Sequence, residues 1–334
     1  MLEKKISRDI AAQNLYTIIL MRYKMQLKDE KNFYKVDLIN QMVEQSPKEI
    51  AEYSEHHYHE QLKHAVEVAK NKHILMLAGP SASGKTTTAL KLKEVFIAEG
   101  RDADVVSLDN FYKNRSTLPI IDGERNAEVV EALEIEMIRE AIMSLIKNGE
   151  TSLPEYDFVT GERKDNAAYI KMQKNGIVII EGIHALNEEM RESLPQHEIL
   201  NVYASPHSGF AIDNRICLTK RQMRLVRRMV RDSWARGSEA ESTLKMWPAV
   251  CKGEDMYIRP SSKYADFRID STYAFEPCLF KEQAKKLLNN VPESSYYFTT
   301  AQSLSKRLDN FVLFNASILS ENSLLREFYN SPKM

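Results

Sequence analysis

Eight consecutive residues, Gly79-Pro80-Ser81-Ala82-Ser83-Gly84-Lys85-Thr86, follow the spacing G-x-x-x-x-G-K-[ST]. In a loop of this kind the backbone N–H groups converge on phosphate oxygens, and the N-terminus of the following helix adds a favourable field. The lysine, Lys85, reaches the β- and γ-phosphates of a nucleoside triphosphate, and the Thr86 hydroxyl ligates Mg²⁺. The flanks fit: the apolar run His73–Ala78 reads as a buried strand, and Thr86–Glu99 as a helix stopped by Gly100. Such loops serve GTPases, transport ATPases and small-molecule kinases alike, so other residues must decide the chemistry.

Two acids stand where a parallel sheet presents its ligands, at the carboxyl ends of strands. Asp109 follows Val105-Val106-Ser107-Leu108, and Glu181 follows Ile177-Val178-Ile179-Ile180. One carboxylate can accept the proton of an attacking hydroxyl and the other can hold the metal; we assign Asp109 as the base and Glu181 to the metal side. Between Arg215 and Arg236 arginines are dense, and Arg221, Arg224, Arg228 and Arg231 recur at spacings of three and four. They share one helical face. Beside a phosphate loop that face reads as a lid whose guanidinium groups neutralise the transferred phosphoryl; taken alone it reads first as a solvated charged face, with an RNA-binding stripe as a third reading.

These groups need a frame. Strand patterns at 73–78, 103–108, 177–180, 199–204 and 267–270 alternate with helical patterns, which predicts an α/β fold: a P-loop NTPase-type parallel sheet flanked by helices. A long helix is expected over Asn126–Asn148. Residues 1–70 read as a helical N-terminal extension, with apolar spacing through Ile10, Leu15, Ile18, Ile19 and Met25, a helix near Asp37–Val43, and a helix start at Ser46-Pro47 with Glu49 completing a capping box. The kinase-like unit is expected over 71–290 and a helical tail over 291–334. Tyr296-Tyr297-Phe298 reads as a strand or core segment.

The 334 residues carry 46 basic and 47 acidic side chains, which argues against a chain-wide nucleic-acid binder. Cys217, Cys251 and Cys278 are too sparse for a zinc site or a redox pair and suit a reducing compartment. No signal core or spanning run is evident in the sequence, so a cytoplasmic location without membrane association is expected. His56, His57, His59 and His64 are read as an exposed polar helix rather than a metal site, and Trp234 and Trp247 as packing residues.

Several ordered motifs over about residues 73–275 resemble the uridine (uridine-cytidine) kinases within the phosphoribulokinase group. Gly79 to Thr87 is similar to that family's phosphate loop. Ser107-Leu108-Asp109-Asn110-Phe111-Tyr112 resembles its D-[SD]-F-Y segment, which implies that Asp109 is the catalytic base. Pro154-Glu155-Tyr156-Asp157-Phe158 resembles P-x-Y-D-F, whose aromatics pack around the nucleoside base. Glu181-Gly182-Ile183 resembles the metal-side E-G-I, and Lys263-Tyr264-Ala265-Asp266 a late K-Y-A-D. Arg228-Met229-Val230-Arg231-Asp232 with Arg236-Gly237 resembles the R-x-x-R-D-x-x-x-R-G lid.

Three positions depart from the pattern. A base-reading histidine is replaced by Gly161, a lid arginine by Ser238, and the ribose-holding acid has its nearest match in Glu131. The ends are similar to the kinase half of longer bacterial uridine-kinase-like proteins. The resemblance implies ATP as donor, Mg²⁺ as cofactor, and a nucleoside-like small molecule as acceptor, with Tyr112, Glu131, Tyr156, Phe158 and Arg236 shaping its pocket and Lys85, Arg228 and Arg231 stabilising the phosphoryl group. It leaves room for a homo-oligomer. An ATP-binding regulatory module of the same fold, without nucleoside kinase activity, is the competing expectation.

Overall fold

The computed structural model describes residues 27–121, 123–192 and 194–330. The helical pattern read around Ile10–Met25 lies outside the described residues. At the centre is a five-stranded sheet in the order Phe267–Asp270, Ile199–Ser205, Ile74–Ala78, Ile177–Glu181, Ala103–Ser107, each neighbour parallel to the next. Every residue of Ile74–Ala78 and Ile177–Glu181 is buried, as strands covered on both faces must be. One face packs against the helices Pro47–Val68, Lys85–Ala98, Lys220–Arg236 and Glu276–Asn289; the other packs against Ile135–Asn148.

The first of these cores runs without a break from Leu27 to Tyr329, so the described part of the extension and the tail are built into it. Val36–Gln45 and Pro47–Val68 are helical. Pro47 occupies the first turn, but the Ser46 side chain caps nothing; at φ −144° it sits at the joint between the two helices. Two antiparallel elements had no clear signal in the sequence. One is the long hairpin Glu150–Asp157 with Glu162–Lys171; the other pairs Phe210–Ile212 with Arg215–Leu218 and, in parallel, with Tyr34–Lys35.

The helix expected over Asn126–Asn148 begins only at Ile135. Upstream, the chain spends its backbone groups on a neighbour instead of on itself: Lys113 N–H donates to the Ala132 carbonyl and Glu134 N–H to that of Phe111, each at 2.9 Å. Tertiary pairing thereby overrides helical pattern, and it fastens 126–134 to the segment carrying Asp109 and Tyr112. Tyr296 and Tyr297 form a turn entering the helix Phe298–Leu308, with Tyr296 fully exposed, and beyond 308 the tail is irregular apart from two short 3₁₀ turns. It nevertheless buries Leu324, Leu325 and Phe328 completely.

Candidate active site

The phosphate loop joins the central strand to the helix Lys85–Ala98. Ala82 and Gly84 both adopt left-handed backbone, φ 58° and 88°. Alternation of this kind turns successive N–H groups into one concavity, and at Gly84 a side chain would also strike Leu324. The Ser83 hydroxyl is buried within the loop without a partner. An orphaned donor at this place fits a site that completes itself with an anion.

Thr86 and the two strand-end acids meet. Thr86 Oγ1 donates to Glu181 Oε1 at 3.2 Å, and Ser107 Oγ donates to the same oxygen at 3.0 Å. Ser107 Oγ also accepts from the Asp109 N–H at 3.3 Å, so a single hydroxyl ties Asp109 to Glu181. Burial, helped by the Glu181 and Glu128 carboxylates and opposed by Lys85, pushes Asp109 up to about 6. A carboxylate with that affinity for protons is suited to take one from a hydroxyl near neutral pH. Thr86, Ser107 and Glu181 together form an all-oxygen set, which suits Mg²⁺ held chiefly through substrate phosphates.

The arginines lie on Lys220–Arg236, a helix capped at its start by a Thr219–Gln222 box; Arg215 belongs to the preceding strand. Arg228 Nη1 donates to Ser81 Oγ at 2.9 Å, and Arg224 Nη1 to the Ser81 carbonyl at 2.9 Å while also pairing with Glu254. The helix is thus latched directly onto the loop. Buried Asp232 gathers three guanidinium groups, from Arg228 (3.3 Å), Arg231 (2.8 Å) and the exposed Arg236 (3.6 Å). Arg221 pairs with Asp255 and also reaches Glu254, the partner of Arg224, at 3.5 Å.

On the acceptor side Tyr112, Tyr156 and Phe158 form one aromatic cluster, with ring centroids 5.0–6.4 Å apart. Arg163 clamps the hairpin to this region through Glu134 (3.1 Å) and the Tyr112 carbonyl (3.3 Å). Gly161 sits at φ 76°, and a Cβ there would come within 2.6–2.8 Å of Arg115 Nε, Cβ and Cζ. The backbone conformation and the Arg115 side chain therefore both require glycine at 161.

Glu131 is exposed on the 3₁₀ turn Val130–Ala132. Three residues earlier, half-buried Glu128 stands within the electrostatic reach of Lys85, Arg228 and Asp109, and burial raises its pKa. Its carbonyl is 3.0 Å from Nε2 of buried His184, whose ring burial pushes down to about 4; the neutral ring donates there. Sequence reasoning passed over Glu128. Its only local trace is the Asx turn in which Asn126 Oδ1 accepts the Glu128 N–H at 2.8 Å.

A parallel sheet with this loop at its central strand, acids on the adjoining strand ends and an arginine helix over the loop defines a P-loop kinase. The chain belongs to the Phosphoribulokinase / Uridine kinase family, whose model matches residues 74–274. It is similar to a uridine kinase of Halobacterium salinarum, 28% identical over 195 residues covering 58% of this chain and 77% of that one. A uridine kinase of Chlamydia pneumoniae is 28% identical over 241 residues, 69% and 97% of the two chains. Among solved structures, a possible uridine kinase from Bacillus stearothermophilus aligns over 63% of this chain and 98% of its own, at 17% identity and a TM-score of 0.41. Membership makes the protein an ATP-using phosphotransferase with a small-molecule acceptor of the nucleoside or sugar kind. Among the described residues no helix is long and apolar enough to cross a membrane.

Proposed function

We propose that the protein transfers the γ-phosphoryl group of ATP to the primary hydroxyl of a nucleoside or a similar sugar-bearing acceptor. The observation that carries this reading is the hydrogen-bonded series Thr86–Glu181–Ser107–Asp109, which sets a carboxylate of raised proton affinity beside the phosphate loop. The acceptor oxygen bonds to the γ-phosphorus as its proton passes to Asp109, the bond from that phosphorus to the β-bridging oxygen breaks, and ADP leaves. Lys85, Arg228 and Arg231 balance the charge in flight, with Asp232 fixing the two arginines. Thr86 and Glu181 would hold Mg²⁺, which when bound supplies charge neutralisation at the phosphates.

The cluster Tyr112–Tyr156–Phe158, its rings tilted or set edge to face, supplies an aromatic wall for the acceptor, exposed Arg236 stands beside Asp232, and Glu128 stands nearer than Glu131 to the reacting groups as a partner for acceptor hydroxyls. An ATP-turnover screen against nucleosides, phosphosugars and pantothenate tests the reading: one class should stimulate ADP release, and Asp109→Asn should abolish that stimulation. A second reading, an ATP-binding module without acceptor chemistry, draws on Gly161, where Arg115 fills the space of a side chain. Tight ATP binding with turnover that no acceptor stimulates would favour it.

A further inference from the structure

The C-terminal segment lies beyond the stretch that the family model matches, yet it returns to the phosphate loop. Leu324 lies so close to Gly84 that a Cβ there would be 2.8 Å from Leu324 Cδ1. Glu327 Oε2 accepts a hydrogen bond from Thr87 Oγ1 at 2.6 Å. The Phe328 ring lies under the Arg227 guanidinium at 5.1 Å, and its carbonyl accepts from Trp234 Nε1 at 2.9 Å. Trp234 is pinned by that bond yet 45% exposed, so its ring is a fixed plate open to solvent rather than a packing residue.

Thr86 and Thr87, adjacent at the start of the loop helix, point to opposite ends of the site. Thr86 faces Glu181, and Thr87 faces Glu327. A triphosphate whose γ end lies by Asp109 and Glu181 must send its nucleoside out at the other end, past Thr87. The arginine helix leads the same way: Arg228 reaches Ser81, and Trp234, about two turns beyond Arg227 on the same stripe, meets the Phe328 that Arg227 covers. Leu324, Leu325 and Phe328 are fully buried in the core, which fixes the segment beside the loop. Within that segment the Glu327 side chain is part-exposed, with Thr87 as its hydrogen-bond donor.

A carboxylate offers only acceptors. Phosphate oxygens are acceptors too and gain nothing from it, whereas ribose hydroxyls are donors and match it. An exposed indole face suits a nucleobase of any kind. We propose that Glu327 and Trp234 form the nucleoside half of the donor site: Glu327 accepts hydrogen bonds from the ribose hydroxyls and Trp234 stacks on the base. This rests on Gly79–Thr86 being the triphosphate loop.

The test is equilibrium binding of ATP, 2′,3′-dideoxy-ATP and inorganic tripolyphosphate, each with Mg²⁺, to the full chain and to Glu327→Gln, Trp234→Ala and Trp234→Phe. Glu327→Gln should weaken ATP about tenfold and leave dideoxy-ATP unchanged. Trp234→Ala should weaken both nucleotides about tenfold and leave tripolyphosphate unchanged, and Trp234→Phe should restore most of the loss. Equal tightening of all three ligands by Glu327→Gln would mean that the carboxylate competes with phosphate, and would overturn the inference; so would nucleotide affinities indifferent to all three variants. Failure of tripolyphosphate to bind the native chain would instead defeat the phosphate-loop reading, and this inference with it.

Discussion

The two halves of the site are built differently. On the donor side each group is braced by another: Asp232 gathers three arginines, Arg224 joins Glu254 to the Ser81 carbonyl, and Ser107 links Asp109 to Glu181. On the acceptor side Tyr156 and Phe158 ride on a hairpin whose tip leaves Phe158 58% and Val159 87% exposed, and only Tyr112 comes from the segment that carries Asp109. Stabilising a transferring phosphoryl group needs dipoles and charges that are already in place. Admitting and releasing an acceptor needs a surface that water also reaches. The first demand freezes residue identities and spacing, and the second leaves them open to change.

The sharpest way to break this contrast is Asp109→Asn. It should lower turnover by roughly 10²- to 10⁴-fold while ATP binding persists. The same change should stabilise the protein. The folded state binds the Asp109 proton more tightly than the unfolded chain, so the stabilisation that protonation brings is complete below the unfolded value of 3.8 and is lost as pH rises toward about 6. Above that pH the native protein carries a part-buried charge at a cost of up to about 3 kcal/mol, which asparagine removes. Thermal unfolding at pH 8 should therefore show a higher midpoint for the variant, with the difference gone at pH 4. In the native enzyme, turnover should fall on the acid side with an apparent pKa near 6. Asparagine that leaves turnover intact, or a midpoint that drops at pH 8, would place the base elsewhere.

The contrast also marks what could be read from residues alone. The loop, the strand-end acids and the arginine face were legible because each is a local pattern with a fixed chemical purpose. The inner strands Ile74–Ala78, Ile177–Glu181 and Ile199–Ser205 were legible because burial on both faces writes nearly continuous apolar runs. The start of the helix at Ile135 was not, since the pattern upstream is helical and only the pairing of 132–134 with 111–113 overrides it. Glu128 escaped for the same reason: its place beside Lys85 and Arg228 follows from that pairing and from His184, 56 residues away in sequence. The hairpin went unseen because Glu162–Lys171 is mostly exposed and lacks an apolar face. Where tertiary contact decides, one sequence carries little trace.

A smaller effect is expected at Gly161. Alanine there must hold a left-handed backbone and push back Arg115, whose N–H donates to the Gly161 carbonyl at 2.7 Å and whose Nη2 donates to that of Phe158 at 2.7 Å. Stability should drop by about 1–3 kcal/mol, and the displaced turn should raise the acceptor KM about tenfold with the ATP KM unchanged. A matching rise in the ATP KM would show that the two halves are mechanically coupled.

The smallest effect separates recognition from packing. Phe158 meets Tyr156, which is buried, edge to face at 5.0 Å, while its own ring is largely in solvent. Removing an exposed ring costs little folding energy, within about 0.5 kcal/mol, but a ring that covers a bound acceptor loses that contact, about 0.5–1.5 kcal/mol. Phe158→Ala should accordingly raise the acceptor KM about fivefold, leave kcat and the ATP KM unchanged, and leave the unfolding midpoint where it was. Tyr156→Ala, at a buried position, should lower both the midpoint and acceptor binding. If the Phe158 variant instead loses stability and keeps its acceptor KM, the cluster is core, and the acceptor must meet the protein through Glu128 and Asp109 alone.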